Sequence, residues 1–150
     1  MTERTLMLSV MAALVTIAAL FSLGCQSTEQ VAQPPVEDPF HAAIRSGTLA
    51  EARQQAREGD RLLIVVGTAD WCGPCRRMKA ETWSDRRVYD WAQQHALIYY
   101  VDIDEKVEVR NELKLTRIPQ IVVFRGDEEI DRSIGYRDAD TFLSWLNDFS

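Results

Sequence analysis

The sequence predicts an α/β domain built on a central, mixed, four-stranded sheet with helices on both faces. Two short apolar runs rich in β-branched and aromatic residues, at 62–66 and 97–101, indicate buried strands. Segments of helical character alternate with these strands in the first part of the domain. Near the carboxyl end, Gly126-Asp127 forms a tight turn between two further strands, and so short a connection requires an antiparallel hairpin.

The remaining elements follow from capping and turn residues. Residues 40–58 are rich in alanine and predict a helix that Ser46-Gly47-Thr48 interrupts, with Thr48 or Ser46 capping its second piece. A second helix is expected to begin at Cys72 and to end near Thr82. The other predicted elements are a helix capped by Ser84-Asp85, a helix at 104–113, a turn at 116–119, strands at 120–124 and 129–134, and a closing helix at 138–149.

Length and composition favour one folded domain with appendages. The chain has 150 residues, of which 46% are hydrophobic and 27% are charged, as in a soluble globular protein with a substantial core. The formal net charge of −6 argues against binding to nucleic acid through charge. We therefore expect no nucleic-acid partner, and we expect a monomer.

The amino-terminal 24 residues predict an export signal. No charged residue occurs from Leu6 to Gly24, and Arg4 supplies a weakly positive start that Glu3 dilutes. The apolar run of about 18 residues is also long enough for a marginal transmembrane helix, so an uncleaved anchor is the alternative. Both interpretations place the rest of the chain outside the cytoplasmic membrane.

The end of this leader, Phe21-Ser22-Leu23-Gly24-Cys25, resembles a bacterial lipoprotein signal. The resemblance implies that Cys25 is lipidated and becomes the first mature residue, although Ser22 stands where that family most often has Leu. Gln26 follows the cysteine, which by resemblance to enterobacterial lipoproteins permits sorting to the outer membrane, with the inner membrane as the other site.

Residues 25–39 predict the lipidated cysteine and a flexible tether. This stretch lacks apolar periodicity and contains Pro34, Pro35 and Pro39, a composition typical of a partly extended linker. The folded domain is then expected to span residues 40–150.

Cys72 and Cys75 form a Cys-x-x-Cys pair at the start of a predicted helix. The unpaired N–H groups of a first helical turn stabilise negative charge, and the thiolate is the nucleophile in disulfide exchange. Pro74 suits this turn because it has no N–H to leave unsatisfied. Cys72 is expected to lie exposed at the helix start, with Cys75 one turn inward. Three cations close by also favour a thiolate: Arg76, Arg77 and Lys79.

In the expected mechanism, Cys72 attacks a substrate disulfide, and Cys75 then attacks the sulfur of Cys72 and releases the reduced substrate. Half of a zinc site is an alternative, but a closed site needs about four ligands, and the chain has no second Cys-x-x-Cys and only His41 and His95 as histidines. A purely structural disulfide is another alternative, although so short a loop gains least from closure. We expect no metal and no cofactor beyond a redox-active Cys72–Cys75 disulfide.

The segment Ala69-Asp70-Trp71-Cys72-Gly73-Pro74-Cys75 resembles the active-site segment of the thioredoxin family. The similarity covers about residues 60–149 and implies a thioredoxin-like fold. It implies that Trp71 shields the active site and that Gly73 and Pro74 belong to the site. It also implies that Ile118-Pro119 is a cis-proline turn, which presents backbone to the substrate.

One position departs from the family pattern. Thioredoxin carries a buried Asp on the strand before the motif, and counting back from Trp71 places Val66 there. In the family this Asp assists proton transfer to and from the inner cysteine. Asp70, Glu81 or bulk water are the candidates to replace it.

Residues 80–85, Ala-Glu-Thr-Trp-Ser-Asp, are more similar to the periplasmic thioredoxin-like domain of the bacterial transmembrane disulfide reductase and to small exported relatives. The resemblance implies a protein-disulfide reductase that faces the periplasm from the bacterial cell envelope. Its partners would be protein thiols and disulfides, an electron donor such as a membrane disulfide reductase, and the membrane that holds its lipid anchor. Gly73-Pro74 resembles the reducing members. The alternatives are a disulfide oxidase or isomerase, a reductant for cytochrome c maturation, and a tethered non-catalytic binding module.

Overall fold

A computed structural model of the chain describes residues 47–150. The predicted signal peptide (1–24), the lipidated Cys25, the tether to residue 39 and the expected start of the domain at residue 40 lie outside the described residues. No helix within 47–150 has the length and apolar character needed to cross a bilayer.

The described elements follow the predicted order of strands and helices. They are α1 (Leu49–Glu58), β1 (Leu62–Thr68), α2 (Gly73–Met78), a π-helical segment (Lys79–Trp83), α3 (Arg86–His95), β2 (Ala96–Asp102), α4 (Val107–Glu112), β3 (Gln120–Arg125), β4 (Glu128–Ile134) and α5 (Ala139–Asn147).

The four strands form one mixed sheet in the order β2-β1-β3-β4. β1 runs parallel to β2, with Thr68 beside Asp102 at the carboxyl ends of both strands. β1 runs antiparallel to β3, which places Gly67 beside Gln120, and β3 pairs antiparallel with β4. The predicted mixed sheet and its terminal hairpin are thus confirmed, and β1 lies in the interior of the sheet, with all seven of its residues buried.

The two faces of the sheet carry different cores, which confirms the expected layers of helices on both sides. One cluster, which we call the aromatic face, packs the π-helical segment, α3 and α5 against the sheet through Trp83, Trp91, Phe142 and Trp145. The rings of Trp83 and Phe142 meet edge to face at 5.0 Å. The other cluster, the aliphatic face, covers the sheet with α1 and includes both Cys72 and Cys75.

Oxygen-bearing side chains cap the starts of α1, α3 and α5. Thr48 caps α1: its Oγ1 accepts the N–H of Glu51, and the Glu51 carboxylate accepts the N–H of Thr48 at 2.7 Å. This reciprocal pair confirms Thr48 as the cap, since it satisfies two donors that the first turn leaves free. The side chains of Asp85 and Asp138 likewise accept backbone N–H groups at the starts of α3 and α5.

The helix that follows the Cys-x-x-Cys differs from the single α-helix predicted for residues 72 to about 82. It is α-helical only to Met78 and then widens into the π-helical segment. The Ser84 hydroxyl donates to the Lys79 carbonyl at 2.9 Å, and the Thr82 hydroxyl donates to the Arg137 carbonyl. The wider turn allows the consecutive residues Thr82 and Trp83 both to be buried, at 0% and 1% exposure.

Candidate active site

The Cys-x-x-Cys pair lies where the central strand meets the first turn of α2. After β1, the Cys72 N–H donates to the Ala69 carbonyl at 3.1 Å, which closes a tight turn. Cys72 is the N-cap of α2, and its Sγ accepts the N–H of Cys75 at 3.2 Å. Pro74 occupies the first turn, as predicted. The Cys72 sulfur therefore accepts a hydrogen bond from one of the backbone N–H groups that the start of a helix leaves unpaired.

The two cysteines are joined in a disulfide, with an Sγ–Sγ distance of 2.03 Å and a Cα–Cα distance of 5.2 Å. The bond shows that Cys75, one helical turn beyond Cys72, lies within reach of it. The expectation that Cys72 would be exposed is wrong: Cys72 is 4% exposed and Cys75 is 6% exposed. The reason is that Cys72 belongs to the apolar cluster of the aliphatic face, together with Ala69.

Trp71 lies beside the pair and presents most of its surface to solvent, with 66% of the residue exposed. Its indole Nε1 donates to Asp104 Oδ2 at 2.7 Å, so a carboxylate on the loop after β2 fixes the ring. Nothing in the sequence pattern pairs these two residues, which are 33 positions apart. Gly73 and Pro74 are exposed next to Trp71.

The turn before β3 approaches the same cysteine cluster. The Ile118–Pro119 peptide bond is cis, as the family resemblance implies, and the half-buried Ile118 packs against the cluster that contains both cysteines. Gly135 adopts φ +89°, and its N–H donates to the Pro119 carbonyl at 2.8 Å. The buried Gln120 side chain accepts the N–H of Thr116 at 3.2 Å. Two backbone segments are thereby fixed beside the Cys-x-x-Cys turn.

A charged network joins the active-site helix to the loop before α5. Glu81 accepts hydrogen bonds from the Tyr136 hydroxyl at 2.7 Å and from Arg77 Nε at 2.9 Å. The Arg77 guanidinium also lies over the Tyr136 ring, 4.2 Å from its centroid. The Tyr136 hydrogen bond, followed by that of Arg77, lowers the pKa of Glu81, and Glu81 in turn raises the pKa of Tyr136. Glu81 is therefore engaged by these two partners.

The position that departs from the family pattern is apolar in its surroundings as well. Val66 is 2% exposed and packs in the aromatic-face cluster with Met78 and Trp83. Within residues 47–150, the buried polar side chains are Thr68, Thr82, Gln120 and Ser133. No Asp or Glu of the described chain is therefore buried beneath the cysteines.

Cys75 lines a cleft of about 410 Å³ between α2 and the carboxyl ends of β1 and β2. Asp70 lines the same cleft, but its side chain is exposed and its backbone carbonyl accepts a bond from Arg76 Nη1 at 2.6 Å. Sequence reasoning did not find two other carboxylates of this cleft, Asp102 and Glu105, because they lie at and just after the end of β2, distant in sequence from the motif. Among residues 47–150, no group of three or more His, Cys, Asp and Glu side chains is arranged to hold a metal ion.

Comparison with known proteins agrees with this architecture. The chain resembles a thioredoxin from Alicyclobacillus acidocaldarius, with 30% identity over 105 residues that cover 67% of this chain and 94% of that protein. Among solved structures, a thioredoxin from Thermus thermophilus superimposes with a TM-score of 0.62 at 24% identity, over 71% of this chain and 87% of the other. A structure described as DsbH oxidoreductase gives 0.61 at 17% identity, over 71% and 83% of the two chains, and shows a common fold.

The family model for a thioredoxin-like domain matches residues 49–150, which include every described strand and helix. The match also contains the joined cysteines and the cis-proline turn. The chain therefore belongs to the thioredoxin-like domain family, and it is a thioredoxin-like thiol–disulfide oxidoreductase that contains a Cys72–Cys75 disulfide.

Proposed function

We propose that this domain reduces disulfides of exported proteins, or passes electrons to them, with Cys72 as the nucleophile and Cys75 as the resolving thiol. The observation that carries the proposal is the placement of the pair: both sulfurs lie at the first turn of α2, close enough to join. A cysteine pair that closes and opens at a helix start is suited to exchange.

The exchange proceeds in two displacements. The Cys72 thiolate attacks one sulfur of the substrate disulfide, forms a mixed disulfide and expels the first substrate thiolate. Cys75, as a thiolate, then attacks Cys72 Sγ, which breaks the mixed disulfide and expels the second substrate thiolate. Two electrons have passed from the cysteine pair to the substrate, and an external dithiol must reduce the Cys72–Cys75 disulfide before the next cycle.

The surroundings of Cys72 support reduction as the net direction. A strongly oxidising pair owes its potential to a stabilised thiolate in the reduced form. Here Cys72 Sγ accepts one N–H, that of Cys75, and belongs to a residue that is only 4% exposed, so few donors surround the sulfur. The nearby Arg76 guanidinium donates to the Asp70 carbonyl, so part of its hydrogen-bonding capacity is directed at backbone.

The amino-terminal sequence supports a location at the bacterial cell envelope. The apolar leader and Cys25 would anchor the domain through lipid, facing the periplasm from the inner or outer membrane, and residues 26–39 would let it reach its substrates. A membrane-embedded disulfide reductase would be a suitable electron donor, because it can carry reducing equivalents into an oxidising compartment.

Reduction of insulin in the presence of a small dithiol tests the enzymatic part of the proposal. The wild-type domain is expected to accelerate reduction, and Cys72→Ser is expected to return the rate to that of the dithiol alone. Cys75→Ser should accumulate the mixed disulfide. If wild type and Cys72→Ser are equally inactive, the domain is a tethered binding module and the proposal fails.

The redox potential of the pair, measured against glutathione, tests the direction. We expect a value near the reducing end of the family, about −270 mV, and far from the roughly −120 mV of a strong oxidant. A value at the oxidising end would favour the oxidase or isomerase alternative.

Trapping with Cys75→Ser in cells identifies the substrates, since this variant retains the bond between Cys72 and its target. Capture of exported proteins supports the proposal, whereas capture of cytochrome c maturation components alone would assign the domain to that pathway. Membrane fractionation of wild type and Cys25→Ala tests the anchor: the variant should leave the membrane fraction, and an unchanged distribution would exclude a lipid anchor at Cys25.

A further inference from the structure

The resolving step requires a proton to leave Cys75. A thiol must become a thiolate before it can attack a disulfide sulfur, and the ordinary pKa of cysteine is about 8.5. Cys75 is 6% exposed and lies in an apolar cluster with Cys72. The proton therefore needs an acceptor and a route that the apolar cluster around the cysteines does not provide.

The cleft of about 410 Å³ beside α2 supplies the route. Of the two described cysteines, only Cys75 lines it, so this opening leads to the resolving thiol and not to the nucleophile. Its walls are polar, and its volume is many times that of a water molecule, about 30 Å³ in the liquid. A polar space of this size is expected to hold water in contact with Cys75.

Charged residues from several segments line this cleft. The carboxylates are Asp70 on the loop before α2, Asp102 at the end of β2, and Glu105 on the following loop. The cations are Arg76 and Lys79 of the active-site helix and Lys106 near α4, and the phenol of Tyr100 also lines the cleft.

Asp102 differs from the other two carboxylates in burial and in attachment. Asp70 and Glu105 are exposed on loops, whereas Asp102 is half-buried at the end of a sheet strand, directly beside Thr68. Its Oδ1 accepts the N–H of Asp104 at 2.9 Å, which fixes the carboxylate. The second oxygen, Oδ2, is then the atom able to accept from water.

We propose that Asp102 accepts the proton of Cys75 through water in this cleft during the resolving step. The Cys75 S–H gives its proton to the water, which gives one to Asp102, while Cys75 Sγ bonds to Cys72 Sγ and the Cys72–substrate bond breaks. The substrate sulfur leaves with the electron pair and takes up a proton from solvent, and Asp102 returns its proton to the bulk. Asp102 acts through water and does not itself touch the reacting sulfurs.

This inference rests on exchange through Cys72 and Cys75, and it does not depend on the direction of electron flow or on location. It also names a group that takes the role of the family's buried Asp, because Val66 occupies that position and packs among apolar side chains beneath α2. Glu81 cannot fill the role, because its carboxylate binds Tyr136 and Arg77 and does not line the cleft.

A disulfide reagent with a coloured thiol as its leaving group separates the two steps. The reduced domain releases one coloured thiolate when Cys72 captures the reagent and a second when Cys75 resolves the mixed disulfide. We expect Asp102→Asn to slow the second release about tenfold near pH 6.5, with the deficit disappearing above about pH 9, where hydroxide replaces the base. The first release should remain within about twofold of wild type.

Glu105→Gln is the matched control, because it removes the same charge from the same cleft at an exposed site. The amide introduced by Asp102→Asn keeps an oxygen for the Asp104 N–H, and Asp102→Ser is a second variant with a smaller acceptor should the first not fold. Asp102→Glu should restore the second release. The proposal is overturned if both Asp102→Asn and Asp102→Ser resolve at the wild-type rate at every pH, or if Glu105→Gln slows the step equally.

The Cys75→Ser variant separates this failure from that of the proposed function. If it still releases two thiolates, resolution does not use Cys75 and the proposed function itself is wrong. If it releases one thiolate while the Asp102 variants behave as wild type, exchange through the pair stands and only the role of Asp102 is lost.

Discussion

The two sides of the cysteine pair differ in the chemical groups that form them. The side that we call the capture side consists of Trp71, Cys72, the Ile118-Pro119 turn and Gly135, and backbone hydrogen bonds and one indole hold it in place. The side that we call the release side is the cleft at Cys75, with Asp102 as its half-buried carboxylate. One side is formed by fixed backbone and apolar surface, and the other by a cleft lined with charged groups.

Under the proposed mechanism, this difference assigns capture of a disulfide and disposal of the Cys75 proton to two separate surfaces. Backbone groups can align a substrate strand next to Cys72 without titrating. Proton transfer requires groups whose charge changes, and these line the cleft at Cys75. Substitutions on the two sides should therefore affect different steps.

The largest effect is expected when a carboxylate is forced into the apolar surface beneath the release side. Val66→Asp should lower the free energy of unfolding by about 2–4 kcal/mol at neutral pH, because an unpaired charge would be buried. Burial would raise the pKa of the new carboxyl in the folded state, so the loss should grow as pH rises above the unfolded value of about 3.9. Urea unfolding at about pH 5 and pH 8 measures this dependence.

Val66→Asn is the control for that substitution, since it has nearly the same shape and no titration. Its destabilisation should be equal at the two pH values. An equal, pH-independent loss for Val66→Asp would mean that the new carboxylate reaches solvent through the cleft.

A smaller effect is expected from Tyr99→Phe, which removes a hydroxyl from the aliphatic face, outside the cleft. The Tyr99 hydroxyl donates to the Gly47 carbonyl at 3.0 Å and accepts from Lys106 Nζ at 3.1 Å. Removing it should cost about 1 kcal/mol, because the Gly47 carbonyl loses its donor. Denaturant unfolding tests this, with Tyr89→Phe as a control that should stay within about 0.5 kcal/mol of wild type.

On the capture side, Asp104→Ala should release the Trp71 indole at a stability cost of at most about 1 kcal/mol, because the bond is exposed. The rate of the first thiolate release is expected to change, whereas the rate of the second should stay as in wild type. Asp104→Asn keeps a carbonyl acceptor and should preserve both steps. Altered resolution in Asp104→Ala would break the proposed division between the two sides, and Trp71 fluorescence reports whether the indole has been freed.

The smallest effect is expected from Glu81→Gln in the Arg77–Glu81–Tyr136 network. The hydrogen bonds of Tyr136 and Arg77 lower the pKa of Glu81 in the folded state below the reference value of 4.5. The carboxylate therefore stabilises the fold above pH 4.5, and this contribution is lost as pH falls through the folded-state value. Wild type should melt at a slightly higher temperature than Glu81→Gln at pH 7, and the two should converge in acid; a gap that persists in acid would contradict this explanation.

Most of the fold could be predicted because its signals are local. Apolar runs mark β1 and β2, and Thr48 and Asp85 mark helix starts with side chains that cap the following turn. The π-helical segment was not predicted, because it depends on the Thr82 hydroxyl reaching the Arg137 carbonyl, 55 positions away.

The site was predictable only as far as its motif extends. The Cys72–Cys75 pairing follows from the two-residue spacing, and the cis bond at Pro119 follows from the family resemblance. The burial of Cys72 and the presence of Asp102 in the cleft depend on which elements pack together, and no local pattern encodes that. From the sequence, Glu81 remained a candidate proton acceptor, because no residue near it in the chain indicates its hydrogen bond with Tyr136.

The position of β1 determines how well the fold is maintained while the Cys72–Cys75 disulfide is broken and re-formed. A fully buried strand with neighbours on both edges exchanges its amide hydrogens only through the rarest openings of a protein. The cysteines lie just beyond that strand, at the start of α2, so their bond can break and re-form while β1 stays hydrogen-bonded within the sheet. Local unfolding at the edge strands β2 and β4 would leave the distance between the two sulfurs unchanged.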